Sequence, residues 1–392
     1  MASLSVISYT VAGFVGLYMV FLGLLTSPGF QRHIVYLHKV QMTWLKDLDV
    51  PESFGFLHRQ VTPFAIESVD GNLLYAWHIL PIGVYLHHEK DLVAGYSGFA
   101  QNIDSQMAFK LLRDDPEALL AIHLHGAAGT VGSGYRVPNY RALSAADPYK
   151  IHVLTFDYRG FGRSPGVPSE TGLRNDAIAV VNWAMHTAKV PPSRILLFGQ
   201  SLGTAVTLAV SEHFATQSPP IVFTGTILVA PFVDVATLVA TYRIAGTLPI
   251  ISPLARFPSL FSYLKRFIKD TWSSKDRIVS YIRLCKAQGL KYRLTLMHAE
   301  DDYDIPSTHT EVLFWHAVNA TIERDISFDE FEQDLQPSKK QDLGSGGFLF
   351  ERKTPDGFVR EKILKTGLHD VIMGNTVVTE AVIRTLEDAQ SS

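Results

Sequence analysis

Two short runs constrain this chain more than any other feature: ALLAIHLHG at residues 118–126 and RILLFGQ at residues 194–200. Both are almost continuously apolar and too short for a buried helix. A strand with one wet face alternates apolar and polar residues; a continuous apolar strand needs cover on both faces. Six further runs read as strands: Val61–Ser68, Leu73–Leu80, Ile151–Tyr158, Thr226–Ala230, Leu294–His298 and Val359–Thr366. Helical patterns fill the gaps, as in Leu173–Lys189, with Leu173, Ala177, Val180, Val181 and Ala184 on one face, and in Leu202–Thr216. Strand and helix in alternation imply an α/β fold, a mostly parallel eight-stranded sheet between helical layers. The first two strands are expected as an antiparallel pair turning at Val69-Asp70-Gly71-Asn72.

Two insertions interrupt the alternation. Residues 233 to about 290 are rich in Phe, Leu, Ile and Tyr and read as a cap after strand six, its Phe257, Phe261, Tyr263 and Phe267 suited to an acyl chain. Residues 320–347 are polar, end in Gly-Ser-Gly-Gly and read as a surface excursion. A hairpin turning at Thr354-Pro355-Asp356-Gly357 follows.

The N-terminus belongs to another environment. Leu4 to Leu25 carries no charge, and about 20 apolar residues suffice to cross a bilayer as a helix. A cleaved signal peptide would need a basic start and a small-x-small cleavage site, and the run has neither. Residues 1–28 are therefore expected to be a retained transmembrane anchor. In residues 29–50, Phe30, Ile34, Leu37, Val40, Trp44 and Leu48 fall near helical spacing, with Arg32, Lys39 and Lys46 elsewhere. That pattern suits an amphipathic helix on the headgroups, and equally a helix packed on the soluble domain of residues 51–392. Basic residues follow the span and none precedes it, which by itself places the bulk of the chain in the cytosol. With 35 Lys+Arg against 38 Asp+Glu, the charge balance argues against a nucleic-acid partner. The single cysteine, Cys285, excludes an intrachain disulfide and any multi-cysteine metal site.

The chemistry is carried by Gly199-Gln200-Ser201-Leu202-Gly203, which follows a strand and opens a helix. Such a turn exposes a nucleophilic serine, and its tightness demands small residues at Gly199 and Gly203. An oxyanion formed there needs two fixed N–H donors. Leu202, next after the nucleophile, supplies one, and Ala127, after His125-Gly126, is the expected second. The glycines at 126, 129, 132 and 134 match neither nucleotide-binding pattern. A serine nucleophile also needs a base and an orienting acid. Of the five histidines after Ser201, only His369 follows the last strand on a short glycine-bearing loop. The acid comes from Glu300-Asp301-Asp302-Tyr303-Asp304, with Asp302 the expected orienter; such a cluster can also attract a hard cation.

HLHGAAGTVGSGYRVPNYRALS, VLTFDYRGFGRSPGVPSETGLRNDA, LFGQSLGTAV and LMHAEDDYDIP together resemble the membrane-anchored alpha/beta hydrolases of the domain-containing protein 12 type, over roughly residues 50–375. The resemblance implies an alpha/beta hydrolase fold and lipase activity on monoacylglycerols and lysophospholipids at the endoplasmic reticulum, with no metal or organic cofactor. It places the triad on Ser201, Asp302 and His369 and the oxyanion donors on Ala127 and Leu202. In its pattern the acid stands four residues beyond the strand-terminal histidine, here His298. It also implies a lumenal catalytic domain, against the charge asymmetry, so the facing stays open. Two features depart from the pattern: Gln200, where a histidine is common, and the excursion with its hairpin. An acyl-protein thioesterase, a short-chain carboxylesterase and a silent lipid-binding scaffold are the competing functions.

Overall fold

A computed structural model describes residues 2–95, 97–244, 248–249, 257–335 and 340–391, with only the backbone at 2–5, 7, 243–244, 248–249 and 334–335. Twelve strands are present among them: β1 (Val61–Glu67), β2 (Leu73–Ile79), β3 (Leu119–Leu124), β4 (Ile151–Phe156), β5 (Ile195–Gln200), β6 (Gly225–Val229), β7 (Arg243–Ile244), β8 (Leu248–Pro249), β9 (Tyr292–Ala299), β10 (Gln341–Asp342), β11 (Phe348–Thr354) and β12 (Gly357–Leu364). β7 and β8 pair only with each other. The other ten form one sheet in the order β1-β2-β4-β3-β5-β6-β9-β12-β11-β10. From β4 through β12 every neighbouring pair is parallel, and the antiparallel pairs lie at the two edges.

All eight expected strands are present. The sheet is wider than expected because β11 folds back on β12 as the anticipated hairpin and the two-residue β10 joins it. The continuous apolar runs have the expected cause. Along β5, Ile195 and Leu197 pack under helices Glu170–His186 and Leu202–Ala215, while Leu196 and Phe198 pack on the opposite face, beneath helices Arg136–Ser144 and Thr376–Gln390.

Three boundaries differ from expectation. Helix Ser274–Gln288 is no part of a cap: Ile278, Tyr281, Ile282 and Cys285 pack with Leu208, Leu294 and Leu296 as part of the layer covering the sheet. The cap narrows to helices Val235–Thr241 and Pro258–Lys265 with their connections; residues 245–247 and 250–256 of the expected cap lie outside the described residues. The excursion is not purely superficial, since Phe331 is buried against Phe350 and Phe314. Third, the helix after the anchor run spans only Pro28–Tyr36, stopped by Leu37 in the left-handed region (φ 49°). Beyond it the chain runs through a series of turns, with Leu48 buried.

Helix Ala2–Leu24 leaves the body with Tyr9, Phe14, Leu17 and Val20 exposed. Among the described residues, no single helix is long and apolar enough to cross a membrane. Ser8–Leu24 and Pro28–Tyr36, bent by 96°, pass that test only as a pair.

Candidate active site

The chain runs from β3 outward to β4 and then returns to β5 on the other side of β3. Strand order thus reverses at β3, and in open α/β sheets ligands bind at such a switch, beyond the carboxyl ends of the strands. Leu124 of β3 is in register with Gly199 of β5, so the loop after β3 and the turn after β5 emerge side by side. On the far side of β6, β9 and β12 are in parallel register through Ala299 and Leu364, and their two loops converge in the same way.

Ser201 sits at the N-cap of helix Leu202–Ala215 with φ 53° and ψ −121°, a conformation a non-glycine residue holds only under constraint. The sequence supplies that constraint. A Cβ on Gly203 would lie 1.9 Å from the Leu124 carbonyl oxygen, and one on Gly199 would lie 2.5 Å from the Gly203 carbonyl oxygen. A Cβ on Gly126 would reach within 3.2 Å of Ser201 Cβ, which shows how closely the β3 loop lies against the serine. Leu202 opens the helix, so its N–H has no partner within the helix.

The β3 loop is held from two sides. The buried Arg136 guanidinium donates to the carbonyls of Ala128 (2.6 Å), Gly126 (3.1 Å), Ala127 (3.2 Å) and Thr130 (2.5 Å). From the opposite direction the N–H groups of Ala128 and Gly129 donate to the carbonyls of Tyr36 (2.9 Å) and Val40 (2.6 Å). The Ala127 N–H is left without a partner among the described residues, as an oxyanion donor must be before substrate arrives. Neither grip was anticipated: one is made by main chain alone, the other by a lone arginine within a helix.

At the other end, His369 Nδ1 lies 2.7 Å from Asp302 Oδ2. Asp302 is buried, and its Oδ1 accepts from the N–H groups of Asp304 and Ile305, both at 2.9 Å. Its Oδ2 also faces His298 Nε2 at 3.0 Å. That nitrogen has a second acceptor, the Ile305 carbonyl at 2.8 Å, so it carries the proton, and Nδ1 accepts from Thr310 at 2.6 Å. Burial pushes the Asp302 carboxyl up, but the hydrogen bonds from His298 and His369 outweigh it and hold the group well below the usual range. For His369 burial disfavours the charged ring, and the bond to Asp302 more than compensates, leaving its pKa raised. Because Nδ1 donates to the carboxylate, Nε2 is the free, basic nitrogen. In the present arrangement no hydrogen bond joins it to Ser201 Oγ, a contact that in apo enzymes is often long and tightens with substrate.

Asp301 has a role that reading the sequence missed. Its Oδ1 accepts from the N–H groups of Gly367 and Leu368, both at 2.8 Å, and clamps the loop that carries His369. Gln200, the departure from the family pattern, ties the serine's turn to the same loop through Asp370 Oδ1 at 3.1 Å. Asp302, Asp304 and His369 lie close enough to share a cation. The donors already on both Asp302 oxygens suit an orienting acid better.

Residues 121–333 match the sequence model described as the alpha/beta hydrolase family. The chain belongs to that family. It is 30% identical over 315 residues to lysophosphatidylserine lipase ABHD12 of Xenopus tropicalis, covering 79% of this chain and 71% of the relative. With the Danio rerio protein of the same name it shares 28% over 283 residues, covering 71% of this chain and 64% of that relative's length. These relatives make it an ABHD12-type alpha/beta hydrolase. Among solved structures, an alpha-beta hydrolase from Vibrio vulnificus superposes with a TM-score of 0.50 at 15% identity, covering 74% of this chain and 83% of the other, which speaks for the fold alone.

Proposed function

We propose that this chain is a membrane-anchored serine hydrolase that cleaves carboxylic esters of lipids, monoacylglycerols or lysophospholipids, through an acyl-enzyme. The observations that carry the reading are His369 held at 2.7 Å by the buried Asp302 and a strained Ser201 at the switch point of the same sheet. His369 Nε2 takes the proton of Ser201 as Oγ attacks the ester carbonyl. The N–H groups of Ala127 and Leu202 hold the oxyanion while Asp302 stabilises the imidazolium. The protonated His369 then gives its proton to the departing alkoxide. Water repeats the sequence on the acyl-enzyme, releasing the fatty acid and restoring Ser201.

Lipid substrates are supported by kinship with lysophosphatidylserine lipases, and a bilayer location by the uncharged helix that leaves the body with its apolar side chains exposed. Residues 1–28 act as the anchor, residues 29–50 as the strap that follows it and residues 51–392 as the hydrolase domain, at the endoplasmic reticulum or a related membrane.

The test is labelling of the full-length protein in membranes with a fluorophosphonate, alongside turnover of lysophosphatidylserine, a monoacylglycerol, a soluble short-chain ester and an acyl-protein thioester. Ser201→Ala should lose labelling and all turnover, and the wild type should favour the lipid esters. Labelling that survives in Ser201→Ala refutes the nucleophile, and preference for the thioester or the short-chain ester refutes the substrate class.

A further inference from the structure

Helix Pro258–Lys265 of the cap has three distinct faces. Phe261 and Leu264 pack against Tyr18, Phe21 and Leu22 in the last turns of helix Ala2–Leu24. Ser259, Ser262 and Arg266 form a polar face. Leu260, Tyr263 and Phe267 form a third, apolar face that nothing among the described residues covers; Tyr263 is 54% exposed and neighbouring Phe257 is 63% exposed. Soluble surfaces rarely gather large apolar side chains into such a stripe without a partner.

The contact with the anchor decides what the partner is. Tyr18, Phe21 and Leu22 belong to the uncharged run, so a helix packed on them lies at the depth where that run leaves the bilayer. The attachment is specific: Gln31 Nε2 donates to the carbonyls of Leu25 and Phe267, both at 2.7 Å, and the Lys269 N–H donates to Gln31 Oε1 at 3.2 Å. Anchor exit and cap are thereby stitched into one piece. Their seam encloses an apolar cavity of about 130 Å³ whose lining includes Arg32, Lys265 and Lys269, with Asp270 the one acid. Asp270 already accepts from the Tyr36 hydroxyl at 2.8 Å. Among the described residues, Arg32, Lys265, Arg266 and Lys269 have no carboxylate partner in ion-pair range. Aromatic side chains beside unpaired cations, at the level where a membrane helix emerges, match the interface of a bilayer carrying anionic headgroups.

We infer that helix Pro258–Lys265 is a second membrane contact, seating Phe257, Leu260, Tyr263 and Phe267 in the interface and Lys265, Arg266 and Lys269 among anionic phospholipid headgroups. The inference rests on the anchor reading above, so the experiment reports on each separately. Full-length protein carrying Leu260→Cys or Val11→Cys, with Cys285→Ala, is labelled with an environment-sensitive dye. It is reconstituted in phosphatidylcholine vesicles with or without phosphatidylserine. Nitroxides at the headgroup and deep in the acyl chains serve as lipid quenchers, and iodide as the aqueous one. The expected result is shallow quenching at position 260, deep quenching at position 11 and protection of both from iodide.

Quenching of position 260 by iodide alone, with position 11 still deep, overturns the second contact and leaves the anchor standing. Protection of position 260 from both iodide and lipid assigns the stripe to a second protein copy and also overturns the inference. Iodide reaching position 11 removes the anchor reading itself. In the triple variant Lys265→Gln, Arg266→Gln, Lys269→Gln, any advantage of anionic over neutral vesicles in lipid hydrolysis should disappear, while turnover of a soluble ester stays unchanged. An undiminished advantage overturns the headgroup contact.

Discussion

The most demanding test of the catalytic arrangement is Asp302→Asn. Two N–H donors, from Asp304 and Ile305, converge on Oδ1, so the amide oxygen must remain there and the new NH2 group takes the place of Oδ2. That group turns a donor towards His369 Nδ1, 2.7 Å away in the wild type, and towards the protonated Nε2 of His298. His369 can adapt only by accepting at Nδ1 and carrying its proton at Nε2, the nitrogen that must receive the proton of Ser201. A wrong tautomer of this kind costs about 10⁴ in kcat in a serine protease, or about 5.5 kcal/mol of barrier.

The pH profile supplies a second readout. Burial opposes the charged form of His369, and the bond to Asp302 overcomes it and raises the pKa. Activity requires the neutral base, so the rising limb of kcat/KM should lie above about 6.5 in the wild type. In Asp302→Asn the limb should move down. Stability follows with opposite signs. The depressed Asp302 contributes stability above about pH 3.9 that is lost as pH falls towards its folded pKa. The raised His369 contributes stability below about pH 6.5 that is lost as pH rises through its folded pKa. The assay is steady-state hydrolysis of a soluble ester across pH, with folding checked by circular dichroism. Asp301→Asn is the control, because an amide oxygen can still accept from Gly367 and Leu368, and it should keep activity within about tenfold of wild type. If Asp302→Asn stays within that range while Asp301→Asn collapses, or if the wild-type limb falls below about 6.5, the assignment is wrong.

Three further outcomes are expected. Gly203→Ala would drive a Cβ into the Leu124 carbonyl, backbone against backbone with no rotamer to relieve it, so it should lower Tm by more than an ordinary overpacking cost of about 1–3 kcal/mol implies; an unchanged Tm would contradict the elbow geometry. Arg136→Lys cannot reach four carbonyls at once, and kcat should fall on the order of tenfold to a hundredfold with KM little changed, a split that steady-state kinetics reads directly. Burial, and then the nearby Glu311, raise the pKa of Glu361 well above the ordinary range, and neither of its carboxylate oxygens has a partner among the described residues. The folded chain therefore holds a proton that the unfolded chain releases, and stability should fall by up to about 1.4 kcal/mol per pH unit as pH rises above about 4.3. Glu361→Gln should flatten that slope in denaturation curves taken across pH, and an unaltered slope would show that Glu361 is ionised.

Most of the fold was legible because the central strands are covered on both faces, which no other setting asks of runs like Ile195–Phe198. The serine's turn was legible because steric crowding at Gly199 and Gly203 leaves a visible trace in residue size. His369 was legible from its place on a short loop after the last strand, and Asp302 was singled out of its carboxylate cluster by the family resemblance; the structure sets the two 2.7 Å apart. What escaped notice leaves no such trace. Apolar spacing continues past Tyr36, so nothing in residues 37–48 announces that the helix stops at Leu37, which is not a glycine. The two carbonyls that grip the β3 loop are main chain and could belong to any residue. Asp301 stands beside Asp302 with the same side chain, and only the path of the loop behind His369 tells them apart. Phe331 lies in a polar stretch, and its burial depends on Phe350 and Phe314, which come from elsewhere in the chain.

The main-chain bonds from Tyr36 and Val40 to the loop beside Ala127 set a boundary for any N-terminally shortened form of this enzyme. A protease cutting ahead of Pro28, or an expression clone starting there, sheds the apolar helix and keeps both carbonyls in place. A cut only a dozen residues later removes one or both of them, leaving a buried N–H without its acceptor next to the atom that must meet the oxyanion. Loss of the apolar helix and loss of the loop's support are thus separated by helix Pro28–Tyr36, about two and a half turns. A shortened form would keep or lose the support of this loop according to which side of Tyr36 its first residue lies.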